Sequence, residues 1–112
     1  MCSSSQLKEI LDRVVLSSKE IFGEKLCDVI LFGSYARGDY DEESDIDILL
    51  VADMPTEDMR RYREALDSLS GDLLYDYGVL VSIIEKDVET FKKYADVLPF
   101  YKKINEEGVK IA

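Results

Sequence analysis

Four residues have the types and spacing that phosphate chemistry requires: Gly33 and Ser34, then, after ten intervening residues, Asp45 and Asp47 in the string Asp-Ile-Asp. A glycine after an apolar run lets the backbone turn sharply and lets a phosphate approach its amides, and the serine adds a hydroxyl. If Ser34–Arg37 begins a helix, its N-terminal N–H groups and dipole favour the same anion. Residues two apart on a strand share a face, with about 7 Å between attachment points. Asp45 and Asp47 can therefore grip a divalent cation, which two neighbouring carboxylates need to offset their repulsion. Arg37 puts a cation beside the turn, where it can contact phosphate or pair with the acids that follow it. Those acids, Asp39, Asp41, Glu42 and Glu43, read as a solvated loop without a chemical role, and Gly38 as a turn residue.

The surrounding elements must hold this constellation in place. Leu7, Ile10, Leu11, Val14, Ile21 and Phe22 recur at helical spacing, with Ser5 as the expected N-cap and Gly23 as the stop. Residues 28–32 (DVILF) and 44–51 (SDIDILLV) read as strands, the second too apolar to lie free at a surface. Pro55 and Thr56 open a second helix with Met59, Tyr62, Leu66 and Leu69 on one side, which Gly71 is expected to break. Residues 78–84 (GVLVSII) form the third strand candidate; a helix starting at Asp87 and carrying Phe91, Tyr94 and Leu98 follows. Pro99 restarts a turn or short helix, and residues 109–111 close the chain with a brief apolar stretch. This order predicts an α/β or α+β domain, a small sheet with helices mainly on one face and the opposite face free for chemistry.

Composition sets the outer limits. A chain of 112 residues with 46% hydrophobic residues is expected to form one domain, 1–112, with one core. Its formal charge of −10 repels phosphate backbones, so no direct nucleic-acid partner is expected, and a nucleotide must arrive with cations. The absence of histidine removes Cys-His catalysis and ordinary zinc sites, and Cys2 and Cys27 lack CxxC spacing, in keeping with a reducing cytoplasm. The N-terminus shows no apolar signal segment, and no run reaches the roughly 18 residues of a membrane span. Cys2 without such a segment says little for lipidation.

Gly33-Ser34, the ten-residue interval and Asp45-Ile46-Asp47, within FGSYARGDYDEESDIDILL, resemble the signature of the DNA polymerase beta-like nucleotidyltransferase superfamily, in particular its minimal nucleotidyltransferase, antitoxin-like branch. The resemblance implies the mixed-sheet nucleotidyltransferase fold, a magnesium-bound nucleoside triphosphate, and transfer of a nucleoside monophosphate, AMP from ATP, to an acceptor hydroxyl. It implies that Gly33 and Ser34 hold the triphosphate, with Arg37 beside them, and that Asp45 and Asp47 are the metal-binding catalytic carboxylates. It further implies a helical HEPN-type protein partner as acceptor, and leaves room for oligomerisation. The family pattern places a third carboxylate on the later central strand, where this chain has Ser82, with Asp76 and Glu85 flanking as substitutes. Two expectations therefore stand together: an adenylyltransferase acting on a protein, and a catalytically weakened nucleotide-binding or partner-neutralising module.

Overall fold

The computed structural model describes residues 4–41 and 43–112; Cys2 and Glu42 lie outside them. Helix α1 (Ser4–Phe22) turns Ile10, Val14, Ser18 and Phe22 inward, each one turn beyond the last. Ser5, expected to cap it, lies inside the helix. The buried Ser18 hydroxyl donates to the Val14 carbonyl at 2.6 Å, so this polar group is satisfied within its own helix. A single 3₁₀ turn, Gly23–Lys25, leads into strand β1 (Leu26–Phe32).

After β1 the chain makes a one-turn helix, α2 (Ser34–Arg37), and returns as β2 (Ile46–Ala52). The strand thus begins one residue after Asp45, where the Ile46 N–H donates to the Leu80 carbonyl at 3.0 Å. Helix α3 (Thr56–Met59) and a 3₁₀ turn precede α4 (Arg63–Tyr77), which runs through Gly71 instead of stopping there. Leu66, Leu69 and Leu73 are buried on α4, and this packing outweighs the weak helix propensity of one exposed glycine. The stop is Gly78, at φ 70°, whose N–H donates to the Leu74 carbonyl at 2.8 Å. Strand β3 (Val81–Asp87) consequently starts at Val81 and not at Gly78.

Asp87 caps α5 (Val88–Tyr94) by accepting the Thr90 N–H at 3.0 Å, and its carboxyl also accepts the Thr56 hydroxyl at 3.1 Å. These bonds hold its pKa below the usual carboxylate value against the opposing effect of partial burial. Leu98, expected on the inner side of this helix, lies beyond it and is 41% exposed. Pro99 opens α6 (Pro99–Glu107), and β4 (Val109–Lys110) follows.

The four strands form one mixed sheet in the order β3-β2-β1-β4, with β2 and β3 parallel and the other pairs antiparallel. Alternation along β2 divides the core. Ile46, Ile48, Leu50 and Ala52 pack with α1 and α4, while Leu49 and Val51 pack with Phe91 of α5 and Tyr101 and Ile104 of α6. The longer helices cover one face, as expected, but the opposite face is not open: α5 and α6 close part of it. From Ile48 onward β2 is continuously apolar because both its faces are covered there.

Candidate active site

Phe32 of β1 lies opposite Asp47 of β2, so the turn that leaves β1 emerges directly over the aspartate. Gly33 has φ 77°, and a Cβ placed there would collide with Asp47 Oδ2. The glycine thus serves two purposes, allowing the left-handed turn and leaving space for the carboxylate. The Gly33 carbonyl accepts the N–H groups of Ala36 and Arg37, both at 3.1 Å, which closes the α2 turn carrying Ser34. Buried Tyr35 anchors that turn and stacks on Tyr40, ring centroids 4.2 Å apart.

Asp47 is half-buried and Asp45, before the strand, is exposed. Burial is the main cause that raises the Asp47 pKa; the Asp45 charge raises it further, and Arg37 partly offsets both. Among the described residues neither carboxylate forms an ion pair, and no group of three or more His, Cys, Asp or Glu side chains is gathered for a metal. Arg37 is held by acids, with Nε 3.2 Å from Asp39 and Nη1 3.7 Å from Glu107 of α6. A cleft of about 200 Å³ opens beside the turn, lined by Phe32, Gly33, Arg37, Phe100, Lys103 and Glu107. A second hollow, about 230 Å³, lies at the far end of β2 among Asp53, Met54, Pro55 and Asp87.

A model of the nucleotidyltransferase domain matches residues 9–111, nearly the whole chain. The chain belongs to the nucleotidyltransferase domain family. Two proteins of Methanocaldococcus jannaschii provisionally named protein adenylyltransferases are similar to it: one is 38% identical over 101 residues, covering 90% of this chain and 93% of the relative, the other 40% identical over 88 residues, covering 76% and 86%. The fold is that of a chain in a toxin-antitoxin crystal structure with AMP-PNP, with a TM-score of 0.60 and 20% identity over 91% of this chain and 72% of that one. It is also that of a chain in the complex of a tri-AMPylated Shewanella oneidensis HEPN toxin with an MNT antitoxin, at TM-score 0.54 and 17% identity, covering 94% and 71%.

Within this nucleotidyltransferase domain, Ser82 lies directly beside Asp47 in the parallel β2–β3 register. The two substitutes for a third acid are committed elsewhere. Asp76 is 2.7 Å from Arg13 of α1, and Glu85, in register with Leu50, is 2.6 Å from Arg63 of α4. Val81 and Ile83 pack into the α1/α4 core, so alternation turns Glu85 to that same face, away from Asp47.

Sequence reading also passed over the order within the acidic loop. The Asp41 carboxylate accepts the Glu43 N–H at 2.9 Å, and the Asp41 N–H donates to the Ser44 hydroxyl at 2.9 Å. This side-chain-stabilised turn fixes the approach to Asp45, and an Asp followed three residues later by Ser is the signal for it. Glu107 had no local signal: only the folding of α6 against β1 brings it to Arg37.

Proposed function

We propose that this chain acts as a single domain, 1–112, which transfers AMP from magnesium-bound ATP to a side-chain hydroxyl of a protein partner, a helical HEPN-type toxin. The observation that supports this reading is the close approach of the Gly33 turn to Asp47, as expected if a phosphate held at that turn meets a metal held by the carboxylate. Magnesium fits the pair, since Asp45 and Asp47 offer hard oxygen donors and concentrate negative charge that burial and mutual repulsion leave uncompensated. These two residues would hold the ion, with phosphate oxygens and water as its other ligands, and the ion would neutralise charge on the reacting phosphates.

The chain's own part is positioning. The Gly33 backbone and Ser34 hold the triphosphate, while Arg37, kept in place by Asp39 and Glu107, lends positive charge to the turn. The acceptor oxygen bonds to the α-phosphorus as the bond to the bridging oxygen breaks; pyrophosphate leaves with the electron pair and the acceptor proton passes to solvent. Support for a protein acceptor comes from the names of the relatives, from the toxin-antitoxin neighbours and from an overall charge of −10 that repels nucleic acid. The exposed, unpaired Cys27 thiol agrees with a cytoplasmic setting.

Ser82 beside Asp47 favours a second reading, in which the chain binds the metal nucleotide and its partner without turnover. Incubation with α-labelled ATP, magnesium and the partner separates the two. Transfer predicts label on the partner and none with Asp47→Asn; binding alone predicts a complex without label. Equal labelling by both chains would sink the carboxylate mechanism.

A further inference from the structure

We infer that Lys103 of α6 binds the terminal phosphates of the nucleotide, in the cleft that lies against Gly33. This rests on the nucleotidyltransferase reading above and adds to it a residue outside the Gly-Ser and Asp-Ile-Asp strings. Two cations line the cleft, Arg37 and Lys103. Arg37 is engaged by Asp39 at 3.2 Å and Glu107 at 3.7 Å, whereas Lys103 is in no ion pair among the described residues. Of the two, Lys103 is therefore the cation that no carboxylate of the described residues already engages.

The surroundings strengthen that charge. Phe32 and Phe100 meet edge to face, centroids 5.9 Å apart, and form an apolar wall that lowers the local dielectric. Gly33 is both a lining residue of the cleft and the neighbour of Asp47, so an anion beside Lys103 is continuous with the carboxylate site. In a chain of net charge −10, a polyanion needs such a local reversal of sign. During transfer the electron pair released at the α-phosphorus goes to the bridging oxygen of pyrophosphate, and the Lys103 ammonium offsets the charge gathering there.

Titration calorimetry on the full chain with ATP, pyrophosphate and AMP, each with magnesium, tests this. Lys103 is exposed on the surface of α6, so Lys103→Ala leaves the core intact. The expected result is a loss of about tenfold in affinity for ATP and pyrophosphate, with AMP affinity unchanged, recovery in Lys103→Arg and no effect of Lys102→Ala. Unchanged pyrophosphate affinity in Lys103→Ala overturns the assignment while the nucleotide site stands. So does an equal loss for AMP in Lys103→Ala or Phe100→Ala, which would make the cleft a base pocket. So does an equal effect of Lys102→Ala, which would reduce it to general charge. A wild-type chain that binds none of the three ligands removes the nucleotide site itself, and this inference with it.

Discussion

Two carboxylates on neighbouring strands of this sheet, Asp47 and Glu85, are both partly buried and have opposite surroundings. Glu85 faces the α1/α4 layer with its side chain 15% exposed and receives Arg63 Nη1 at 2.6 Å. Arg63 is itself fixed by Asp67 at 2.6 Å and by the Ile83 carbonyl at 3.0 Å, so the charge is compensated within the fold. Asp47, on the α5/α6 side, has another carboxylate for a neighbour, only a partial offset from Arg37, and no ion pair among the described residues. A partnered carboxylate holds elements together; one set beside a like charge is costly to the fold, a cost that the proposed metal site would offset. One charge is compensated within the fold, and the other is the one that the proposed function assigns to chemistry.

The largest effect expected is at Asp47. Asp47→Asn should lower AMP transfer by about 100-fold or more, measured with α-labelled ATP, while the fold persists. Its stability should move the other way. Burial and Asp45 hold the folded Asp47 pKa above the ordinary 3.8, so the aspartate adds no penalty below that value. As pH rises through the raised folded pKa, the native state must carry the charge and stability falls. The melting temperature of Asp47→Asn should therefore exceed that of wild type by a margin that opens with rising pH. Magnesium-ATP, bound by wild type alone, should narrow it. A margin constant with pH would show that the charge at Asp47 is as well compensated as that at Glu85.

Gly33→Ala couples the two faces. The methyl group must displace Asp47 and the residue must hold φ 77°, so about 2 to 4 kcal/mol of stability should be lost, read from the denaturant midpoint, together with most of the transfer activity. Arg63→Ala should separate them instead. It strips the partner from Glu85 and should cost about 1.5 to 3 kcal/mol, while the transfer rate per folded molecule stays at the wild-type level. A transfer rate that fell with Arg63→Ala would mean that the sealed face positions the site as well as supporting it.

The family motif was more legible in the sequence than the frame that holds it. Gly33, Ser34, Asp45 and Asp47 stand out because phosphate and metal chemistry fix residue types at short spacings, but Asp45 precedes β2, so the alternation expected of one strand covers Asp47 alone. The strands were readable from apolar runs, yet β3 was drawn too early because Gly78 ends a helix instead of opening a strand. The covering of the second face was not readable. Phe91, Tyr101 and Ile104 carry an ordinary amphipathic pattern, and only tertiary packing decides against which side of the sheet it is buried. Glu107 and Lys103 reach the cleft by that same packing, from some seventy positions beyond Gly33, so no local spacing could mark them.

Gly71 gives the smallest test and confines it to the sealed face. Sequence propensity makes it a helix breaker, but α4 continues through it, its added Cβ would meet nothing within 4 Å, and its backbone does not occupy the left-handed region. Leu69 and Leu73 on either side hold the helix to the sheet, so the glycine only leaves the unfolded chain more freedom than alanine would. Gly71→Ala should therefore raise stability by about 0.5 to 1 kcal/mol in chemical denaturation. It should leave magnesium-ATP affinity and transfer unchanged, because α4 packs on the face of the sheet opposite Asp47. A gain in stability accompanied by weaker nucleotide binding would show that the chemical face draws on flexibility in α4, and that the division between the two faces is not as sharp as Asp47 and Glu85 make it.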